Sequence, residues 1–270
     1  GTLAASAADT VYVKGGGTGD GTSALSPLGD LADAIRAVSG GGKVVLVGDT
    51  SVAKSAGYDA SVGAFTAPAT SGTLTLSSEG GARLVFPDGG RFFCTGDTTF
   101  ENITFYNAHK KTLVVAGRFF ALTFGKGVTM DNIEVHVVGG MEHTNATVTV
   151  PDDDYSRDAH ITLESGRFAE VTGLGRNTGK ASFNPNYTGA AYITISGDAT
   201  VDKVFGAFRW GGKAQNTARV YITLDGGAVT NFVTACGSEK ITYPVDATVT
   251  LTEKFDPATY FKGVNETGWS

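Results

Sequence analysis

Aliphatic or aromatic residues two positions apart recur along the chain: Val44/Leu46, Leu74/Leu76, Ile103/Phe105, Ile133/Val135, Ile161/Leu163, Ile193/Ile195, Ile222/Leu224 and Val249/Leu251, with a polar residue between them in all but the first pair. The first members follow one another after 30, 29, 30, 28, 32, 29 and 27 residues, and Val11/Val13 stands 33 residues before Val44. Alternation with period two is the pattern of a half-buried strand. A strand that returns about every thirty residues indicates a coiled solenoid, in which each coil buries its apolar side against the next. The middle residues are polar, namely Thr75, Thr104, Glu134, Thr162, Thr194, Thr223 and Thr250, which predicts a threonine row on the outer surface.

A second set, Phe168, Val201 and Val229, follows the first strand by 7, 8 and 7 residues, with Gly166, Gly197 and Gly226 between the two. Each coil is expected to turn a corner at the glycine and begin another strand. Residues 28–38 carry Leu28, Leu31, Ile35 and Val38 at helical spacing, with Asp30 in the first turn. This predicts a helix covering the open end of the stack. The reading is of an all-β chain: a single-stranded right-handed parallel β-helix of about nine coils, with an N-terminal strand and cap helix over 1–43 and coils over 44–270. Its right-handedness follows the general rule for parallel crossovers. An antiparallel sandwich also has many short strands, but they recur every 8–12 residues without a longer unit.

Composition narrows the function classes. Net charge is −6 with 21 Lys+Arg and no basic cluster, which argues against a nucleic-acid partner. No apolar run approaches the ~18 residues of a membrane span. Two cysteines, Cys94 and Cys236, fall about five coils apart. At ~4.8 Å per coil that is roughly 24 Å, so two free thiols are expected. An Ala-rich start without methionine reads as the mature end of an exported protein, which places the chain outside the cell or on its surface.

The opening Val11-Tyr-Val-Lys-Gly-Gly-Gly-Thr-Gly-Asp-Gly-Thr-Ser-Ala-Leu-Ser-Pro-Leu28, the helix that follows, Lys43-Val-Val-Leu-Val-Gly48 and the coil Phe100-Glu-Asn-Ile-Thr-Phe-Tyr-Asn107 together resemble right-handed parallel β-helix proteins of the pectate-lyase-like superfamily. The resemblance covers the chain as architecture and matches no particular enzyme. It implies a polysaccharide partner, since that superfamily contains lyases, glycosidases, esterases, phage tailspikes and non-catalytic surface modules.

Loops at similar offsets in successive coils should line one flank: residues 151–158, 176–187, 209–217 and 239–243. That flank would gather Arg157, Arg176, Lys180, Tyr187, Arg209, Trp210 and Lys213 as ligand-binding candidates, with Asn184 and Gln215 nearby. Rings cover sugar faces, amides meet hydroxyls and basic groups meet acidic sugars. At least one face of Trp210 or Tyr187 is expected to be exposed. Asp152, Asp153 and Asp154, with Asp158, are candidate calcium ligands. The resemblance implies that Arg157 or Arg176 would be the base in a calcium-dependent lyase. A second strip, His160, Tyr192 and Tyr221, shares the outward parity of the threonines and offers an alternative face, or a ladder that merely stabilises the sheet.

The glycine-rich stretch 15–21 lacks a Gly-Lys-Ser/Thr ending, the four histidines have no zinc-ligand spacing, and no Gly-x-Ser-x-Gly is present. The leading expectation is a secreted or cell-surface module that binds or adheres to polysaccharide. A calcium-dependent polysaccharide lyase or other glycan-processing enzyme is the second, and a non-catalytic spacer of a larger surface protein the third.

Overall fold

The structure is a computed structural model that describes residues 9–143, 155–177, 186–209, 213–214, 219–235, 237, 246–258 and 264–265. It is all-β, with parallel strands in one large open sheet. The helix α1 (Leu31–Ala37) is the only α-helix among the described residues. The strand Tyr58–Asp59 pairs with Ala64–Thr66 in the antiparallel sense, and the other pairings are parallel. None of the described helices is long and apolar enough to cross a membrane.

One ladder runs through Thr10–Val13, Gly42–Leu46, Leu74–Ser78, Thr98–Phe100, Ala121–Phe124 and Ala159–Leu163. It continues through the first parts of Ala190–Phe205 and Arg219–Thr234 to Asp246–Leu251. The inward residue passes from Val11 through Val44, Leu76, Phe100, Phe124, Leu163 and Ile195 to Leu224, and the register ends at Leu251, which is 43% exposed. The steps are 33, 32, 24, 24, 39, 32, 29 and 27 residues. The even thirty-residue spacing is therefore corrected in the middle of the chain. Ile103/Phe105 and Ile133/Val135 lie on other ladders, where Phe105 pairs with Leu84 and Met130, and Val135 pairs with Leu113 and Phe168. Two short coils followed by a long one average to the same period, and every ladder of a solenoid carries apolar inward residues, so the pattern alone does not separate them.

The outer row is made of Thr75, Thr99, Thr123, Thr162, Thr194, Thr223 and Thr250 in register. Thr99 and Thr123 stand where Thr104 and Glu134 were expected. The Phe168, Val201 and Val229 register is present as read, and Gly166, Gly197 and Gly226 have φ of 96, 56 and 117°. That left-handed region suits glycine and lets the chain turn between the two strands.

The core sits between the ladders. Phe65, Phe92, Phe100, Phe124 and Phe168 follow one another inside, with neighbouring ring centroids 5.2, 5.4, 5.1 and 4.8 Å apart. These are favourable aromatic contacts in addition to the area they bury. Leu31, Ile35 and Val38 join the core from α1. Asp30 is the N-cap, not a residue of the first turn: its Oδ1 accepts from Ala32 N and Ser55 Oγ and its Oδ2 from Ala56 N. Burial would raise its pKa, but these bonds outweigh it and hold the carboxyl below its ordinary value. Cys94 is free and fully buried, and burial pushes its thiol up to about 12. Cys236 lies outside the described residues.

Candidate functional site

The strand Ala159–Leu163 alternates as Ala159 in, His160 out, Ile161 in, Thr162 out and Leu163 in. Ala190–Phe205 and Arg219–Thr234 repeat that parity in register, so His160, Tyr192 and Tyr221 form one outward column. Parallel strands are ~4.8 Å apart, close to the separation of stacked rings, so the backbone itself sets the stack. The His160 and Tyr192 centroids are 4.7 Å apart with planes 4° from parallel; Tyr192 and Tyr221 are 4.9 Å apart at 14°. Tyr192 and Tyr221 are 37 and 38% exposed, the most exposed Phe and Tyr side chains among the described residues. Beside the rings lies the threonine row, and beyond it Glu164, Ser196 and Asp225. These three line a groove of about 640 Å³ with Lys126, Asp198 and Lys254.

A different arrangement forms on the flank where Arg176 and Arg209 fall. Past the paired glycines 139 and 140, and past Gly173 and Gly206, the chain bends sharply. It then forms a small parallel sheet from Met141–His143, Gly175–Asn177 and Phe208–Arg209. The bend needs glycine because the backbones nearly touch: a Cβ on Gly139, Gly173 or Gly206 would lie 2.3, 1.9 or 2.2 Å from the carbonyl oxygen of the next coil. Glu142, Arg176 and Arg209 stack in register on the small sheet. They meet Arg91, His136 and Glu170 on the outer side of the large sheet.

Glu142 and Glu170 are both 2% exposed. Arg91 Nε donates to Glu142 at 2.8 Å, Arg209 donates to Glu170, and Arg176 Nη1 donates to His136 Nδ1 at 2.9 Å. Arg176 also lies 3.9 Å from each carboxylate. Burial alone would raise the pKa of Glu170. The polar contact with His136, whose Nδ1 lies 3.4 Å from Glu170 Oε2, and the charges of Arg176 and Arg209 outweigh that, and the carboxyl is held below its ordinary value. Burial lowers the pKa of Arg209, with Glu170 acting against it. An ionised carboxylate held by arginines is a poor proton donor, so this cluster acts as an ionic brace between two sheets.

The sequence-expected flank is thus only partly assembled. Arg176 and Arg209 come together, but as internal partners of glutamates. Arg157 is exposed, its guanidinium 4.6 Å from the Phe120 ring centroid. Tyr187 is 1% exposed and packs among Tyr155, Phe208 and Phe119 with centroids 5.2, 5.0 and 6.1 Å away. The expectation that its ring could face a sugar is corrected: a large aromatic beside the bend gains more from burial than from exposure. The strand Lys213–Ala214 pairs with Asn186–Tyr187. Lys180, Trp210 and the calcium candidates Asp152, Asp153 and Asp154 lie outside the described residues. Among those described, no group of three or more His, Cys, Asp or Glu is placed to hold a metal. Sequence reasoning missed Arg91, His136, Glu142 and Glu170. The available signal was a charged residue inside an apolar alternation, as in Val135-His-Val137 and Phe168-Ala-Glu-Val171.

No family model, curated protein or solved structure matches the chain.

Proposed function

We propose that the chain is a right-handed parallel β-helix of about nine coils, capped by α1 and akin to the pectate-lyase-like superfamily, which acts outside the cell as a polysaccharide-binding module. The observation that carries this reading is the open stack of His160, Tyr192 and Tyr221 beside the threonine row. An exposed ring costs solvation free energy that a buried one avoids, and three in register make an ordered surface. The rings cover one another's faces, so sideways they present edges and phenol hydroxyls. With the hydroxyls of Thr162, Thr194 and Thr223 they make two parallel rows of hydrogen-bonding groups repeating at the strand spacing. Such an array suits a repeating, hydroxyl-rich chain laid across the strands.

A glycan array followed by affinity electrophoresis tests this. Binding by the wild type and a loss of at least tenfold in Tyr192→Phe/Tyr221→Phe, with an unchanged melting temperature, is the expected result. Binding to no glycan would leave the spacer reading. Release of unsaturated product, measured by absorbance with and without calcium, would replace adhesion with the lyase reading.

A further inference from the structure

The aromatic column stops at His160, and the reason is the residue in the next coil. Ala121 pairs with His160 and carries only a methyl where a fourth ring would lie. One coil further, Thr98 pairs with Leu122, which puts Asp97 beside Ala121, and Asp97 Oδ1 accepts from Ala121 N at 2.9 Å. Asp97 and His160 are exposed and Ala121 is half-buried, so the gap opens to solvent. The backbones of His160 and Asp97 are two strand spacings apart, roughly 9.6 Å; the Asp97 carboxylate leans across to Ala121 N, so a ring stacked on His160 would meet it edge-on. Tyr192 covers one face of His160, and the other face looks into this gap.

We propose that the gap over Ala121 is a subsite for a single amino-sugar ring. This rests on the polysaccharide-binding reading and adds to it the class of residue bound. The apolar face of the sugar lies on the uncovered face of His160, its edge rests on the Ala121 methyl, and its ammonium meets Asp97, whose Oδ2 is the oxygen a ligand would reach. Charge favours a cationic sugar over a uronate. Asp97 walls the gap, and further across the same face Glu164, Asp198 and Asp225 outnumber Lys126 and Lys254, the last of which lies 3.9 Å from Asp225. The arginines expected to receive acidic sugars, Arg176 and Arg209, are engaged with Glu170 and His136. Arg157, near the rim, is held over Phe120.

The geometry permits a test in which a larger side chain blocks the site by completing the stack. Ala121→Tyr supplies the fourth ring, and Thr248→Tyr extends the column at its other end, beside Tyr221. The probes are a β-linked glucosamine hexasaccharide and its N-acetylated counterpart, followed by titration calorimetry at low salt. Expected is binding of the glucosamine probe by the wild type, lost at least tenfold in Ala121→Tyr and in Asp97→Asn and kept in Thr248→Tyr, with all three variants folded by circular dichroism. Weaker binding of the N-acetylated probe would support the charge pairing with Asp97. Equal affinity of Ala121→Tyr and wild type would overturn the subsite, even if Tyr192→Phe/Tyr221→Phe still lost binding, in which case the broader reading would stand. A wild type that binds neutral glycans but not the glucosamine probe would likewise overturn the subsite alone. A wild type that binds none overturns both.

Discussion

The column of His160, Tyr192 and Tyr221 and the brace around Glu170 both project from the outer side of the large sheet, yet one stays open and the other is sealed. What separates them is the chain that follows. After His136 and Glu170 the paired glycines turn the backbone back over the sheet, so that Glu142, Arg176 and Arg209 close on them. After His160, Tyr192 and Tyr221 the strands run on to the next corner without such a return, and nothing described covers the rings. Outward parity on a strand therefore determines neither burial nor chemistry; the next bend does. The brace has carboxylates at 2% exposure and the column has tyrosines at 37 and 38%.

The comparison breaks most sharply at Glu170. Glu170→Ala would leave Arg176 and Arg209 facing each other across paired strands with only Glu142, 3.9 Å from Arg176, as a counter-charge. A loss on the order of 3–5 kcal/mol is expected, read as a fall in the denaturation midpoint. A loss under ~1 kcal/mol would show that the brace is hydrated and as open as the column. A similar loss, several kcal/mol, is expected for Ile193→Asp, which places a carboxylate among the inward residues of the ladder, where Ile193 is 1% exposed. Its neighbour Thr194 faces out, and Thr194→Asp should cost well under 1 kcal/mol; equal losses would reverse the register.

Acid provides an intermediate test. Because the Glu170 carboxyl is held below its ordinary value of 4.5 in the folded chain, the group stabilises the fold above that value. That contribution is lost as pH falls from about 4.5 through the lower folded pKa. Urea midpoints taken between pH 7 and 3 should drop in the wild type and drop less steeply in Glu170→Gln. Parallel curves would remove Glu170 from the acid response. The smallest effect belongs to the open column. Tyr192→Ala removes two stacked contacts at a partly exposed position where water can fill the space left, and about 1 kcal/mol is expected. A loss as large as that of Glu170→Ala would mean the rings serve the sheet rather than a ligand.

Much of the architecture was legible in the chain because a strand's alternation is local. His160, Tyr192 and Tyr221 could be placed in one column from parity and spacing, and Phe168, Val201 and Val229 likewise. Spacing misled where coil lengths were unequal: 24-residue steps beside a 39-residue step put Ile103 and Ile133 on the wrong ladder while preserving an apparent period. Of the brace, only the alignment of Arg176 and Arg209 was legible. Its partners come from Arg91, His136, Glu142, Glu170, Arg176 and Arg209, and what brings them together is a backbone bend, which leaves only a few glycines in the sequence. Tyr187 shows the same limit, since the sequence indicates an aromatic residue in a polar loop and the bend decides which way it faces.

The close-packed glycines at that bend also constrain how such a protein can be lengthened, repaired or diversified. Coils here differ by as many as fifteen residues, as the 24- and 39-residue steps show, so the fold tolerates insertion somewhere in nearly every turn. At Gly139, Gly173 and Gly206 it tolerates not even one extra carbon, because each backbone there rests on the carbonyl of its neighbour. Duplicated or grafted coils would have to meet at this corner, with their differences confined to loops elsewhere. The stack is thus keyed along one edge, and a coil borrowed from another solenoid should fit when its residue at that edge has no side chain.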